Sequence, residues 1–95
     1  MSWSPFRARR ERTLRRLASA MLALPDGKHF VWPMIRDAGI SSGTIYPTLA
    51  RLEVDGWVVS GWQDPAPEGR PRRRWYQLTE LGRRELAALL RTEAS

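Results

Sequence analysis

The side chains best suited to recognise another molecule are concentrated in residues 40–57, with the sequence ISSGTIYPTLARLEVDGW. Hydroxyl, phenol and guanidinium groups of this kind hydrogen-bond to phosphates and to the edges of nucleic-acid bases. The first turn, Ser42, Gly43 and Thr44, carries only small side chains, so a partner could approach the backbone closely. A helix that begins here also offers free N–H groups and a positive dipole end to a phosphate. Nucleic acid is therefore the candidate partner.

An amphipathic helix is predicted to position these groups. Its apolar face, at helical spacing, consists of Ile45, Leu49 and Leu52. Ser41 is predicted to cap the helix through its hydroxyl group, and Gly56 to supply a positive φ after the last turn. Pro47 lies inside the helix and predicts a bend, with Tyr46 projecting from the exposed face. An ordinary core helix would show the same apolar pattern, so the surrounding sequence has to decide.

The composition favours an anionic partner. The 95 residues carry 16 Lys and Arg against 10 Asp and Glu, and every cation except Lys28 is an arginine, whose planar fork suits phosphates and guanine. Compositional bias is the alternative explanation. The chain has no cysteine and one histidine, His29, which excludes disulfides, Cys-ligated metals and an obvious catalytic triad. Because no membrane span or signal peptide is evident, one soluble, cytoplasmic domain is expected over residues 1–95.

A long first helix is predicted over residues 5–24, entered at Ser4-Pro5. Its apolar stripe consists of Leu14, Leu17, Ala18, Met21 and Leu22. Its N-terminal half carries a cluster of cations: Arg7, Arg9, Arg10, Arg12, Arg15 and Arg16. Such charges repel one another and oppose the helix dipole. They are expected to form a solvated basic arm or, alternatively, to contact an anionic neighbour.

A helix-turn-helix is predicted over residues 33–56. Trp32-Pro33 can begin a short helix that ends at Gly39. Its inward-facing residues would be Met34, Ile35 and Ala38. The helix that follows would then be the one that enters the major groove in DNA-binding proteins of this type. His29 is given a structural role beside Phe30.

Residues 57–78 predict a β-hairpin wing, because residues 57–62 and 74–78 are rich in aromatic and β-branched types and flank the loop DPAPEGRPRR. The second half of the loop carries Arg70, Arg72 and Arg73. Arg70 is expected to project into a narrow minor groove. In isolation a solvated, mobile basic loop is the simpler interpretation, but the preceding helix-turn-helix favours DNA contact.

A last helix is predicted over residues 79–92, capped by Thr79. Its apolar residues are Leu86, Leu89 and Leu90. This helix and the first helix could together form a dimer interface. Packing of the last helix on its own first helix is the alternative.

Two segments resemble the PadR family of winged helix-turn-helix transcription regulators. SSGTIYPTLARLEVDGWV is similar to the family pattern S-x-G-T-[LI]-Y-P-x-L-x-R-L-E-x-x-G, and EGRPRRRWYQLTELG is similar to its wing. The resemblance implies a homodimeric repressor in which Ser42, Thr44, Tyr46 and Arg51 approach DNA. The chain departs from the family at HFVWP, residues 29–33, where a His-Gly-Tyr-like segment is usual.

The predicted fold is mainly α with a β-hairpin wing, a winged helix-turn-helix. The predicted function is sequence-specific binding of double-stranded DNA by a homodimer at an inverted-repeat operator, as a repressor and not an enzyme. A winged-helix module that docks an acidic protein is the alternative. No cofactor or metal is expected, and a small-molecule effector stays open. The expected DNA-binding residues are Ser41, Ser42, Gly43, Thr44, Tyr46, Thr48, Arg51, Arg70, Arg72 and Arg73.

Overall fold

The computed structural model describes the backbone of residues 5–94 and the side chains of residues 11–92. In this range the helices are α1 (Pro5–Leu22), α2 (Val31–Ala38), α3 (Ser42–Val54) and α4 (Glu80–Ala94). The strands are β1 (His29–Phe30), β2 (Val58–Trp62) and β3 (Arg74–Leu78). Ser4 and the side chains of Arg7, Arg9 and Arg10, which carry the predicted helix start and much of the basic arm, lie outside the described residues.

The core is formed by the apolar faces of the helices and one side of the sheet. Its fully buried large side chains are Leu17, Met21, Ile45, Leu49, Leu86 and Val58. Leu52 joins them at 4% exposure, so the predicted apolar face of α3 is confirmed. On α4, Leu89 and Leu90 are partly buried against the same cluster. The helix that carries the candidate reading face is therefore held from behind by packed side chains.

The sheet is antiparallel with strand order β1-β3-β2. β2 and β3 form the predicted hairpin, whose register pairs Val58 with Leu78 and Trp62 with Arg74. β1 was not predicted, because two residues are too short to show an alternating pattern. The imidazole Nε2 of His29, in β1, lies 2.9 Å from the Leu24 carbonyl oxygen, which agrees with a structural role.

Helix ends follow the expected chemistry in most places. Gly39 and Gly56 adopt φ values of 67° and 78°, the left-handed conformation that a glycine allows after a helix. Thr79 caps α4, because its hydroxyl oxygen accepts the Gly82 N–H at 3.0 Å. These ends fix where α2 and α3 stop and where the last helix leaves the sheet.

Two predictions about helix starts were wrong. α2 begins at Val31, before Trp32-Pro33, and Pro33 falls in its first turn, where a missing N–H breaks no intrahelical bond. The Ser41 hydroxyl does not cap the backbone of α3. It is 2.7 Å from the Thr44 hydroxyl instead, while the Ser41 carbonyl accepts the Ile45 N–H at 3.0 Å. The Thr44 hydroxyl takes the place of the expected backbone donor.

Candidate nucleic-acid interface

The solvent-facing side of α3 carries the residues that the sequence singled out. Ser41, Ser42 and Gly43 are exposed, and no neighbouring atom lies within 4 Å of the place where a Gly43 side chain would begin. Tyr46 is 54% exposed, which confirms that it projects from the helix. α3 continues through Pro47 as one helix from Ser42 to Val54. A partner could therefore reach the first turn of the helix.

The two threonines of α3 are less open than the serines. Thr44 is half-buried and shares its hydrogen bond with Ser41. Thr48 is also half-buried, and its hydroxyl donates to the Thr44 carbonyl oxygen at 2.8 Å. A hydroxyl that donates to its own helix keeps only acceptor capacity for a partner. Thr48 is therefore the weaker of the two candidate contacts.

Arg51 lies farther along the same helix. Its Nε atom is 3.2 Å from Asp55 Oδ2, one turn later, while the side chain stays 76% exposed. An exposed ion pair of this kind contributes little free energy. The Arg51 guanidinium can consequently leave Asp55 for a phosphate.

The loop of the wing, residues 63–73, is closed at its base by the Gln63 N–H, which donates to the Arg73 carbonyl oxygen at 2.7 Å. At the tip, the Arg70 N–H donates to the Pro67 carbonyl oxygen at 3.1 Å, and Gly69 supplies a φ of 71°. The turn leaves the Arg70 side chain exposed. We use "the wing" for β2, β3 and this loop.

The wing arginines differ in their partners. Arg72 Nη2 lies 3.6 Å from Asp64 Oδ1 in the same loop, and Arg74 Nη2 lies 3.8 Å from Glu53 Oε2 on α3. Within the described part of the chain, the side chains of Arg70 and Arg73 form neither a hydrogen bond nor an ion pair. Arg70 and Arg73 therefore carry the uncompensated positive charge of the wing.

A polar bracket joins α3 to both strands of the wing. It consists of Glu53, Ser60 and Arg74, a residue set that the sequence did not single out. The Ser60 hydroxyl donates to Glu53 Oε2 at 2.6 Å, and Arg74 Nη2 donates to the Ser60 oxygen at 2.7 Å. The Arg74 guanidinium also lies 5.2 Å from the centre of the Trp62 ring, within cation–π range. No local sequence signal predicts contacts between side chains so far apart in the chain.

Tyr46 and Arg73 meet at one concavity of about 430 Å³, which we call the aromatic concavity. It is lined by Phe30, Val31, Trp32, Tyr46, Arg73 and Arg74. Arg70 and Arg72 do not line it. The structure thus brings one predicted residue of α3 and one of the wing together, and adds Trp32, which is 64% exposed. An aromatic residue beside a proline in the first turn of a helix was the available signal for Trp32.

A second concavity of about 450 Å³ lies between α1 and α2 and includes none of the predicted DNA-binding residues. Arg15, Arg16 and Asp37 line it, and Arg16 Nη1 donates to the Gly39 carbonyl oxygen at 2.9 Å. A hydrogen bond from the Arg36 guanidinium lowers the pKa of the Asp37 carboxyl. Across residues 11–92 no cluster of side chains could hold a metal ion. Nor does any helix of the described chain have the length and apolar character to span a bilayer.

Residues 35–88, which hold α3, the wing and the start of α4, match the model of the transcriptional regulator PadR-like family. The chain belongs to the PadR family. The resemblance predicted from the two motifs is therefore confirmed, as is the winged helix-turn-helix fold. The family consists of transcription regulators and not of enzymes, in agreement with the sequence.

Individual relatives are similar over different lengths. The chain is 49% identical over 47 residues to the transcriptional regulator Rv3488 of Mycobacterium tuberculosis, a match that covers 50% of this chain and 41% of that protein. The chain thus spans less than half of this relative. A PadR family transcription regulator from Clostridium difficile R20291 superposes with a TM-score of 0.70 at 19% identity, covering 84% of each chain. The smu.1704 structure from Streptococcus mutans UA159 gives 0.68 at 25% identity, over 88% of this chain and 78% of that one.

Proposed function

We propose that this PadR-family chain is a sequence-specific DNA-binding regulator that represses transcription as a homodimer. α3 enters the major groove, and the wing lies over the neighbouring minor groove. One observation carries the proposal: the exposed Ser42-to-Tyr46 side of α3 lies beside a wing whose Arg70 and Arg73 side chains lack partners in the described chain. DNA contact needs this pairing of small hydroxyl groups with free cations, whereas docking of an acidic protein does not.

The proposed contacts with DNA are of two types, those to bases and those to the sugar-phosphate backbone. Ser42, Thr44 and Tyr46 meet base edges or the adjacent backbone, with Ser41 and Gly43 allowing close approach. Arg70 enters the minor groove, and Arg51, Arg72 and Arg73 contact phosphates, Arg51 and Arg72 after leaving their acidic neighbours. Base contacts specify a sequence, whereas phosphate contacts fix the register of the protein.

The proposed dimer uses α1 and α4, which pack on one another within the chain. Leu81 is 37% exposed on α4, and Leu24, just beyond α1, is 60% exposed. A symmetric dimer would set its two α3 helices about 34 Å apart, one turn of DNA, and so select an inverted repeat. Sedimentation at micromolar concentration, with and without duplex DNA, tests this point, and a monomer under both conditions would contradict it.

The test of DNA binding begins with selection of bound fragments from the source genome. Affinity for a selected fragment and for a random duplex is then measured against salt concentration. Each phosphate neutralised contributes a slope of about −0.9 in the plot of log affinity against log salt. A steep slope together with preference for the selected fragment supports the proposal. A flat slope, or equal affinity for both duplexes, contradicts it. Reduced transcription in vitro from a promoter overlapping the site tests repression.

A further inference from the structure

Trp32 is a large side chain that the core does not use. It is the second residue of α2, between two residues that face inward, Val31 and Met34, and it is 64% exposed. A single exposed aromatic residue is ordinary on a protein surface. The position of Trp32 suggests a role, because this residue lines the aromatic concavity together with Tyr46 and Arg73.

The chemistry of this concavity suits an anion. The indole N–H of Trp32 is a hydrogen-bond donor only, and the Tyr46 hydroxyl can donate as well. Arg73 brings a guanidinium that has no partner in the described chain. Arg74, by contrast, is held by Glu53 and Ser60 in the bracket. The available charge is therefore one cation, Arg73, beside two neutral donors.

The position of the concavity indicates which anion fits. Its walls come from the start of α2, from α3 and from the base of β3. In B-form DNA one sugar-phosphate strand separates each major groove from the neighbouring minor groove. A protein that places α3 in the first and the wing in the second must cross that strand, and the aromatic concavity lies between these two elements.

We propose that the aromatic concavity binds the DNA backbone strand between the two grooves, with Trp32 donating its indole N–H to a phosphate and Arg73 neutralising the same or the next phosphate. This inference rests on the proposed function and adds Trp32 to the contact surface. Because phosphate contacts carry no sequence information, Trp32 contributes to affinity and register and not to the choice of base.

The decisive variant is Trp32→Phe, which keeps an aromatic ring and removes the N–H donor. Trp57→Phe is the matched control, because it makes the same change at an indole that lies before β2 and does not line the concavity. Affinity is measured for a genome-selected duplex and for a random duplex, over a range of salt. Trp32→Phe should weaken binding to both by about tenfold, the value of a hydrogen bond to a charged group. Trp57→Phe should change neither affinity to that extent.

The salt dependence separates the two contacts. Trp32→Phe removes no charge, so its salt slope should equal that of the wild type. Arg73→Gln should weaken binding and reduce the magnitude of the slope by about one. In a duplex scanned with single neutral methylphosphonates, one position should weaken binding of the wild type more than it weakens binding of Trp32→Phe. That position identifies the phosphate that the indole contacts.

Several results would overturn the inference while leaving the proposed function intact. One is that Trp32→Phe binds DNA as tightly as Trp57→Phe does. Another is a change in the ratio of selected to random affinity, which would make Trp32 a base contact. A change in sedimentation without a change in DNA affinity would assign the concavity to contact between copies of the chain. If the wild type binds no duplex at low salt, both the inference and the proposed function are wrong.

Discussion

The bracket between α3 and the wing gives the sharpest prediction about how the two DNA-contacting elements are held together. Glu53 and Tyr46 are seven residues apart, so they lie on the same side of α3, toward the wing. Replacing Arg74 or Glu53 with Gln, singly and together, removes each charge while keeping a polar side chain of comparable reach. The double variant closes a thermodynamic cycle that isolates their interaction.

The expected size of that interaction follows from the geometry. The two charged groups are 3.8 Å apart, but their side chains are 38% and 39% exposed, so the direct pair contributes roughly 0.2–1 kcal/mol. Ser60 bridges them with bonds of 2.6 and 2.7 Å, which adds about 1 kcal/mol that depends on both partners. We expect a coupling free energy of about 1–2 kcal/mol in the free energy of unfolding, measured by urea denaturation.

DNA binding should respond in a different pattern. Arg74→Gln leaves the Glu53 carboxylate uncompensated near the proposed path of the backbone strand, and its repulsion of about 1 kcal/mol weakens binding roughly fivefold. Adding Glu53→Gln removes that carboxylate and should restore most of the affinity. If Arg74→Gln weakens binding equally in both backgrounds, Arg74 contacts a phosphate directly and does not act through the bracket.

Three further predictions concern the two contact elements and the core. Thr44→Ala should lower the ratio of selected to random duplex affinity by about 1 kcal/mol or more, and an unchanged ratio in a folded variant would remove α3 from sequence recognition. Arg70→Ala should weaken binding and reduce the magnitude of the salt slope by about one, whereas an unchanged slope would place this guanidinium away from phosphates. Gly82→Ala should lower the free energy of unfolding by about 1–3 kcal/mol, because the added Cβ would overlap the Trp57 carbonyl group. Gly43→Ala is its control, since open space surrounds that position and stability should not fall; equal losses in urea denaturation would refute the steric argument.

Features that depend on neighbouring residues could be predicted from the sequence. The buried face of α3 follows from helical spacing, and the left-handed Gly39 and Gly56 follow from their places after a helix. Thr79 caps α4 for the same local reason. Each of these features depends on residues that lie within about one or two helical turns of each other. The spacing of such residues can be read directly from the sequence.

Features that depend on distant residues could not be predicted. β1 forms because His29 pairs with Tyr76 and Phe30 pairs with Trp75 across the sheet. A strand of two residues is too short for its sequence to predict this pairing. The Glu53–Arg74 contact likewise requires the wing to fold back toward α3. Even the local prediction for Ser41 was wrong, because a backbone donor and the Thr44 hydroxyl compete for the same oxygen.

The buried and exposed faces of α3 explain why substitutions on it can be interpreted. Ile45 and Leu49 are fully buried, whereas Tyr46 and Arg51 are exposed. Each of these two exposed residues is the sequence neighbour of a core residue. A substitution at Tyr46 therefore leaves the fully buried side chains in place, and a loss of DNA affinity in a variant of unchanged stability reports on the partner and not on the fold. Truncation of Leu49 would have the opposite signature, since a core cavity lowers stability by about 2–5 kcal/mol before any contact surface is touched. The bracket and the aromatic concavity both lie at the border between these faces, so their variants require measurements of unfolding and of binding together.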